Sequence, residues 1–172
     1  MSPNFSELWE YAIKHFQSGG LGLYASDHGP EHWRRVEENA RNLADKTGAD
    51  SEFVRLFAII HDSCRENEMA DPEHGQRASV LVKEICDKRM FGLNTWAEEN
   101  TERFDRFLVA LIKHDKGETS RDTDTGTCWD ADRLDLTRVG IAPMPSYFST
   151  DAGRHAAIKK LTEFLRTTGK RI

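Results

Sequence analysis

Several histidines and one aspartate continue the apolar stripes of predicted helices in this sequence, and these side chains are the best suited to chemistry. Each lies three or four positions from an apolar residue of its own helix, so we expect it on the face that points into the core. The inward polar residues are His32, His61, His74, His114 and Asp132. A single inward histidine is usually a hydrogen-bonded core residue, but burying five such groups without a shared partner costs too much free energy. The set therefore predicts a buried divalent-metal centre.

The donor types indicate which metals would bind. Imidazole nitrogens and carboxylate oxygens together favour Mn, Fe, Co, Ni or Zn, with Mg less suited beside two histidines. His61 and Asp62 are adjacent, and adjacent side chains diverge by about 100° on a regular helix, so they can share one site only near a helix end. The cysteines lack CxxC spacing and are expected to be free thiols. They are Cys64, Cys86 and Cys128.

Helical periodicity extends through almost the whole chain, without a convincing alternating strand pattern or an internal repeat. Seven helices are predicted. The first covers residues 5–17 and stops at Gly19-Gly20, the second runs from Pro30 to Gly48, and the third begins after residues 50–51. The fourth begins at residues 71–72, the fifth covers 101–113, the sixth begins after Thr127, and the last covers 151–168. The pattern predicts an all-α, single-domain bundle over residues 1–172.

Two connections differ in composition. Residues 115–127 contain no large apolar side chain, so we expect a mobile surface loop, which is either a lid or plain solvated chain. Residues 140–150 carry apolar and aromatic residues between two prolines, so this segment is expected to pack along the surface.

The overall composition excludes several classes of protein. With 172 residues, 38% hydrophobic residues and a net charge of −5, the chain is expected to fold as one soluble domain. Its mixed charges offer no broad positive face for a long nucleic-acid duplex or an anionic membrane. The N-terminus does not resemble a signal peptide and no apolar run is long enough to cross a bilayer, so we expect a cytoplasmic protein. A homodimer is allowed, but the sequence leaves the oligomeric state open.

Three ordered blocks resemble the HD superfamily of metal-dependent phosphohydrolases: HGPEHWRRV at 28–36, AIIHDSCR at 58–65 and WDADRLD at 129–135. The resemblance implies a core of about five helices over residues 28–140, with the first and last helices packed on it. By position, the implied metal ligands are His32, His61, Asp62 and Asp132.

Two neighbouring residues are expected to support the ligands. Arg35, one helical turn after His32, is predicted to hold a carboxylate ligand in place. Asp130 is the alternative to Asp132 as the last ligand, although an acid favoured by the dipole at a helix N-terminus is the preferred interpretation.

The resemblance also implies a function. Relatives hydrolyse phosphate monoesters, nucleotides, cyclic nucleotides and pyrophosphate-linked signals, so we expect a hydrolase of a small phosphorylated molecule, with a nucleotide or related phosphoester favoured. Asp62, His74 and His114 are the predicted catalytic residues, and the two histidines are expected to protonate a leaving oxygen or to orient the nucleophile. One divalent metal is predicted. In some relatives two further histidines bind a second metal, so a second metal on His74 and His114 stays open. The gap from His61 to His74 is shorter than in those relatives, which argues against it.

Four residues are predicted to contact the substrate: His28, Arg65, Arg77 and Arg133. Arg65 and Arg77 each follow an inward residue by three positions, so both can reach the rim of the site with donors for a phosphate. A solvated surface role is the alternative for each.

Two other functions remain open. An iron-dependent oxygenase would need His74 and His114 as ligands of a second iron. A non-catalytic nucleotide-binding or regulatory module would keep the metal only as a structural element. The intact ligand set favours the hydrolase.

Overall fold

A computed structural model of the protein describes residues 2–19 and 27–169. Over these two ranges the chain forms eight α-helices, two short 3₁₀ helices and no strand, which confirms the all-α prediction. The helices are α1 (Phe5–Ser18), α2 (Pro30–Thr47), α3 (Ser51–Ile60), α4 (His74–Asp87), α5 (Leu93–Glu99), α6 (Thr101–Lys113), α7 (Thr123–Arg133) and α8 (Asp151–Thr168). The 3₁₀ helices are Leu136–Val139 and Pro145–Tyr147.

Local sequence signals account for most of the helix ends. Within the described ranges, five α-helices begin with a side chain that accepts a hydrogen bond from a backbone N–H of the first turn: Asn4, Asp50, Asn100, Asp122 and Thr150. Pro30 occupies the first turn of α2, and Gly48 ends that helix with a φ of 75°. The first helix ends at Gly19, as predicted, whereas Gly20 lies outside the described residues.

Three helix predictions are wrong in detail. Helix α4 begins at His74 instead of at residues 71–72. The short helix α5 was missed, because its seven residues are too few to show a helical period. Helix α7 begins at Thr123 instead of after Thr127, so only the first part of the segment 115–127 is the exposed loop that was expected. The Asp122 side chain accepts a hydrogen bond from Thr125 N and starts the helix there. The residues that follow, Thr125, Gly126 and Thr127, have small side chains and are buried. Because none of them is a large apolar residue, the apolar pattern does not reveal this part of the helix.

The core joins the helices through large apolar side chains. Trp33 of α2 is fully buried, and its ring packs edge-on against the rings of Trp9 and Phe16 from α1, at centroid distances of 5.9 and 5.4 Å. The Trp33 indole N–H donates to the carbonyl oxygen of His28 at 2.8 Å and so fixes the turn before α2. All three cysteines are free thiols, as predicted. Among the described helices, none has a stretch apolar and long enough to span a bilayer.

Candidate metal centre

The histidines and aspartates predicted from the sequence meet at a place where two helices begin and three helices end. His32 lies in the first turn of α2, and His74 is the first residue of α4. His61 and His114 directly follow the last residues of α3 and α6, while Asp132 lies in the last turn of α7. Because His61 caps the end of α3, Asp62 is already outside the helix, so the adjacent pair can share one site.

Three of these side chains form a group that we call the first trio: His32, His61 and Asp132. The Nε2 atoms of His32 and His61 are 3.1 Å apart, and Asp132 Oδ1 lies 3.2 Å from His32 Nε2 and 3.8 Å from His61 Nε2. Both histidines are buried, and the Asp132 side chain is 17% exposed. The donor atoms lie within 4.8 Å of one another, close enough to surround one cation.

A second trio lies next to the first: Asp62, His74 and His114. The Nε2 atoms of His74 and His114 are 2.8 Å apart, and Asp62 Oδ1 lies 3.2 Å from the former and 3.5 Å from the latter. All three side chains are buried. The structure therefore brings His74 and His114 together with Asp62 as a second candidate ligand group.

Asp62 connects the two trios through its two carboxylate oxygens. Oδ2 lies 3.6 Å from His32 Nε2 and 3.7 Å from His61 Nε2, whereas Oδ1 faces the second trio. Although it is buried, Oδ1 accepts no hydrogen bond from the described residues. A buried carboxylate oxygen without a donor is costly unless a cation faces it.

The tautomers of the four rings follow from what faces their Nδ1 atoms. These atoms lie against Phe57 O and Ala58 O for His61, Asp71 O for His74, Leu111 O for His114, and Asp135 Oδ2 for His32. A carbonyl or carboxylate oxygen only accepts, so each Nδ1 carries the ring proton. In the neutral ring, Nε2 then presents a lone pair. Four lone pairs and the Asp62 and Asp132 carboxylates converge, and this is the chemistry that divalent cations require.

The second trio depends on a close approach between two helices. Gly75 follows His74 at the start of α4, and a Cβ atom placed on Gly75 would collide with the backbone oxygen of Leu111 in α6. Only glycine therefore lets the start of α4 lie against the end of α6, where His114 follows.

Asp135 supports the first trio and was missed in the sequence. Its Oδ2 accepts from His32 Nδ1 at 2.8 Å, and its two oxygens accept from Arg35 Nε at 2.9 and 3.0 Å. Arg35 thus contacts Asp135 and not a carboxylate that was predicted to be a ligand. The signal lay in the block WDADRLD, where Asp135 follows Asp132 by three positions and so lies on the same side of the chain.

Burial and the carboxylates together determine the ionisation of the centre. Burial lowers the pKa of His61 to about 3, so this ring is neutral. Burial also opposes protonation of His32 and His114, but the neighbouring carboxylates outweigh it and raise the pKa of both rings. Burial opposes ionisation of Asp62 and Asp132 as well, yet the surrounding imidazoles keep the pKa of each carboxyl below its ordinary value. Both carboxylates are therefore charged at neutral pH.

A cavity of about 350 Å³ borders both trios, with Asp62, His114 and Asp132 in its lining. His28 lies on its wall, with Nδ1 3.0 Å from Asp62 Oδ2. Arg65 is also on the wall, with Nη1 3.7 Å from Asp62 Oδ1. Both residues are thus near the centre, as the sequence predicted.

Arg138 belongs to the same cavity and was missed in the sequence. Its Nη2 atom lies 3.3 Å from His28 Nδ1, and its Nε atom donates to Asp27 O at 2.7 Å. No motif marked it, because it lies beyond the last block of the resemblance. Its place is set by the 3₁₀ helix Leu136–Val139, which turns the side chain back toward the start of α2.

The other two arginines predicted to contact substrate make structural contacts. Arg77 donates to Asp71 Oδ2 at 2.6 Å and to Cys64 O at 3.0 Å, and it lines a different cavity. Arg133 lines the cavity beside the trios, but its guanidinium donates to Tyr147 O and to Glu118 O, both at 2.5 Å.

Asp130 faces the start of α8. Its carboxylate accepts from Ser149 N at 2.6 Å and from Thr150 N at 2.8 Å. It also accepts from the Thr150 hydroxyl at 2.8 Å. Asp130 therefore acts on a helix N-terminus, as the preferred interpretation expected, but on that of α8 and not on that of its own helix.

Comparison with known proteins agrees with this fold. The chain matches no protein-family model. Over 123 residues it is 28% identical to the uncharacterized protein YpgQ of Bacillus subtilis (strain 168), and the match covers 69% of this chain but only 56% of that relative. The fold is similar to the crystal structure of a predicted HD superfamily hydrolase from an uncultured Thermotogales bacterium, with a TM-score of 0.68 at 20% identity over 93% of this chain and 88% of the other. The chain therefore shares its helical fold with that predicted HD superfamily hydrolase.

Proposed function

We propose that this protein is a metal-dependent hydrolase of small phosphorylated molecules, with two divalent cations held by the two trios and Asp62 between them. The observation that carries the proposal is the convergence of four imidazole Nε2 atoms and two carboxylates in one buried volume. Since every Nδ1 faces an acceptor and carries the ring proton, the Nε2 atoms of the neutral rings have no proton to donate to one another or to the carboxylates, whereas cations would satisfy all of these groups. The predicted HD superfamily hydrolase that shares the fold supports hydrolysis as the reaction class.

Side chains on the cavity wall would bind the phosphate. Bound divalent cations supply a water of lowered pKa and offset the charge of a phosphoryl group. Arg65 would offer a charge-assisted hydrogen bond to a phosphoryl oxygen through Nη1, since its Nη2 atom already donates to Met69 O. Arg138, whose Nε and Nη1 atoms donate to backbone oxygens, would offer one through Nη2. A nucleotide or related phosphoester fits these donors and remains our proposed substrate class.

We assign to His28 the acid role that the sequence suggested for His74 and His114. The Nε2 atoms of those two rings face Asp62 and each other, so they are better suited to ligation. His28 is half-buried on the cavity wall, where it can donate a proton to the leaving oxygen.

An iron-dependent oxygenase is the second candidate, and the second trio is the observation that favours it. This chemistry needs two irons, and His74, His114 and Asp62 offer the ligands for the second one. The two candidates share a metal centre but differ in whether oxygen is consumed.

The test is a screen of phosphorylated metabolites with protein that has been stripped of metal and reloaded separately with Mn, Fe, Co, Ni or Mg. Phosphate release, oxygen uptake and nucleotide binding are each measured. Metal content per chain is measured in parallel. Asp62→Ala is the inactive control. Asp50→Asn is the matched active control, because Asp50 also pairs with an arginine but lies at the opposite end of α3 from His61.

Each result of the screen separates the candidates. Phosphate release that needs metal and is lost in Asp62→Ala supports the hydrolase. Oxygen uptake by the iron-loaded protein, without phosphate release from any substrate, supports the oxygenase instead. Tight nucleotide binding without turnover under any of these conditions would contradict both enzymes.

A further inference from the structure

The lining of the cavity beside the two trios combines charged and apolar residues. The charged residues, which we call the charged side, include His28, Arg65, Asp115 and Arg138 together with the candidate ligands. The apolar residues of one short segment, which we call the apolar wall, are Ile141, Ala142, Pro143, Met144, Tyr147 and Phe148. A phosphate and its metals account for the charged side only, so the apolar wall needs a separate explanation.

Two large apolar side chains of the apolar wall are exposed to solvent. Ile141 is 51% exposed and Tyr147 is 57% exposed, and both are among the six residues of the apolar wall. Single exposed apolar side chains are ordinary, but a group of them on the wall of a concave, otherwise charged site is typical of a ligand contact.

The apolar wall is also held in place from behind. Phe148 is buried, and the turn before it is the 3₁₀ helix Pro145–Tyr147. Arg133 donates to Tyr147 O, and Asp130 accepts from Ser149 N, the residue after the wall. Because two buried, charged side chains fix its backbone, the wall is a formed surface and not a loose loop.

We propose that the apolar wall selects phosphorylated substrates whose leaving group carries a planar apolar ring, with Ile141, Met144 and Tyr147 contacting that ring. This proposal rests on the hydrolase function and names the substrate class for it. The phosphate would lie on the charged side and the ring against the wall. A cavity of about 350 Å³ has room for a phosphate and one ring system but not for a long acyl chain.

The role of Arg133 changes accordingly. The sequence suggested that Arg133 contacts the substrate, but its guanidinium is occupied by the carbonyl oxygens of Tyr147 and Glu118. These carbonyls belong to the apolar wall and to the 115–122 loop, which contributes Asp115 and Gly117 to the cavity lining. Arg133 is therefore a positioning residue for the wall.

Two matched pairs of compounds test the proposal. 2-Phenylethyl phosphate and ethyl phosphate have leaving alcohols of similar acidity, so a difference in kcat/KM reports the ring and not the chemical step. 3-Phenylpropylphosphonate and propylphosphonate cannot be hydrolysed at that position, so their affinities for the Mn-loaded protein, measured by calorimetry, report binding alone. We expect the ring to improve both quantities by about tenfold or more, as burial of a phenyl group implies.

Substitutions then locate the preference. Ile141→Ala and Met144→Ala should each reduce the ring preference, which is the ratio of the phenyl compound to its ethyl or propyl partner, several-fold. Ile158→Ala is the matched control, because Ile158 is 52% exposed, as Ile141 is, but lies on α8 outside the cavity. Arg133→Met should reduce the ring preference as well, with metal content per chain unchanged.

Several results would overturn the proposal, and they differ from failure of the hydrolase. Equal affinity for the two phosphonates, or no binding of either, contradicts the role of the wall even if small phosphates are hydrolysed. A ring preference that survives Ile141→Ala and Met144→Ala contradicts it too. If gel filtration shows a dimer that Met144→Ala dissociates, a second copy of the chain covers the wall and the proposal is wrong. Ring-dependent phosphonate binding without turnover of any phosphate supports the wall but contradicts the hydrolase.

Discussion

The first and second trios use the same kinds of ligand but hold their rings differently. In the first trio, His32 Nδ1 donates to the Asp135 carboxylate, which in turn accepts from Arg35. In the second trio, the Nδ1 atoms of His74 and His114 both face backbone carbonyls. A carboxylate behind an imidazole raises the basicity of its free nitrogen more than a carbonyl does. We therefore expect the first trio to bind its cation more tightly than the second.

The trios also differ in how the fold places them. The first trio joins α2, α3 and α7, which pack on one another at the centre of the molecule. The second trio needs the start of α4 to touch the end of α6, and this contact tolerates no side chain at Gly75. A small change in the packing of α4 against α6 can therefore disrupt the second trio while the first trio stays intact.

Asp62 is the residue whose loss should have the largest effect, because its two oxygens face both trios. We expect Asp62→Ala to lower kcat/KM by on the order of 10³ and to weaken both metals, as loss of a shared charged ligand implies. Metal titration followed by activity measurement checks this, with Asp50→Asn as the folded control. Loss of one metal only would show that Asp62 does not connect the trios.

Gly75→Ala should separate the trios. The added methyl group collides with Leu111 O, so α4 must move away from α6 and His74 must leave His114. We expect the weaker of the two metal affinities to fall by about 100-fold, since displacing a side chain by an ångström has effects of that size. The tighter site should be retained. Calorimetric titration with Mn measures both sites, and Gln76→Ala, at the exposed neighbouring position, is the control. Equal loss at both sites would contradict the separation.

Asp135→Asn should act on the first trio and not on the second. The amide keeps the size of the side chain but removes the charge behind His32, so we expect the tighter affinity to fall by about 10 to 100-fold. The weaker site should change little, and the difference between the two sites should shrink. If instead the weaker affinity falls and the tighter one does not, the assignment of Asp135 to the tighter site is wrong.

The smallest expected effect is on the pH dependence of stability. His32 and His114 have a raised pKa in the folded, metal-free protein, so their protonation stabilises that form below pH 6.5, and the contribution is lost as pH rises through the folded pKa. Metal binding requires the same rings to be neutral, so the stabilisation that metal provides should grow over that range. Thermal unfolding with and without Mn, from pH 5.5 to 8.5 in steps of about one unit, measures this.

The expected Tm difference between Mn-loaded and metal-free protein increases with pH. Asp135→Asn should move the rise to lower pH, because Asp135 helps to raise the pKa of His32. A Tm difference that is flat or that shrinks with rising pH would mean that these histidines do not exchange their protons for metal.

Much of the fold was predictable because its signals are local. Capping residues such as Asp50 and stop signals such as Gly48 act within one helical turn, so the bounds of α2 and α3 follow from a few neighbouring residues. The short helix α5 and the true start of α7 were not predictable by periodicity, because small or few side chains carry no clear apolar period.

The candidate site was predictable only where a residue shares a helical face with the core. That rule drew attention to His32, His61, His74, His114 and Asp132, which the structure brings together. It did not reveal Asp135 or Arg138, whose places depend on contacts with residues about 100 positions away, such as Arg35 and His28. It also could not assign Arg133 to the backbone of the apolar wall.

By itself, the sequence determined that this chain is helical and that several of its histidines and aspartates face inward, because the helical period and the burial of polar groups are properties of single segments. Only the tertiary structure decided that these residues divide into two trios around Asp62, that one trio has a carboxylate behind it, and that an apolar wall lines the same cavity as the charged residues. Those features arise where the ends of different helices meet. The positions of helix ends relative to one another are set by packing across the whole core.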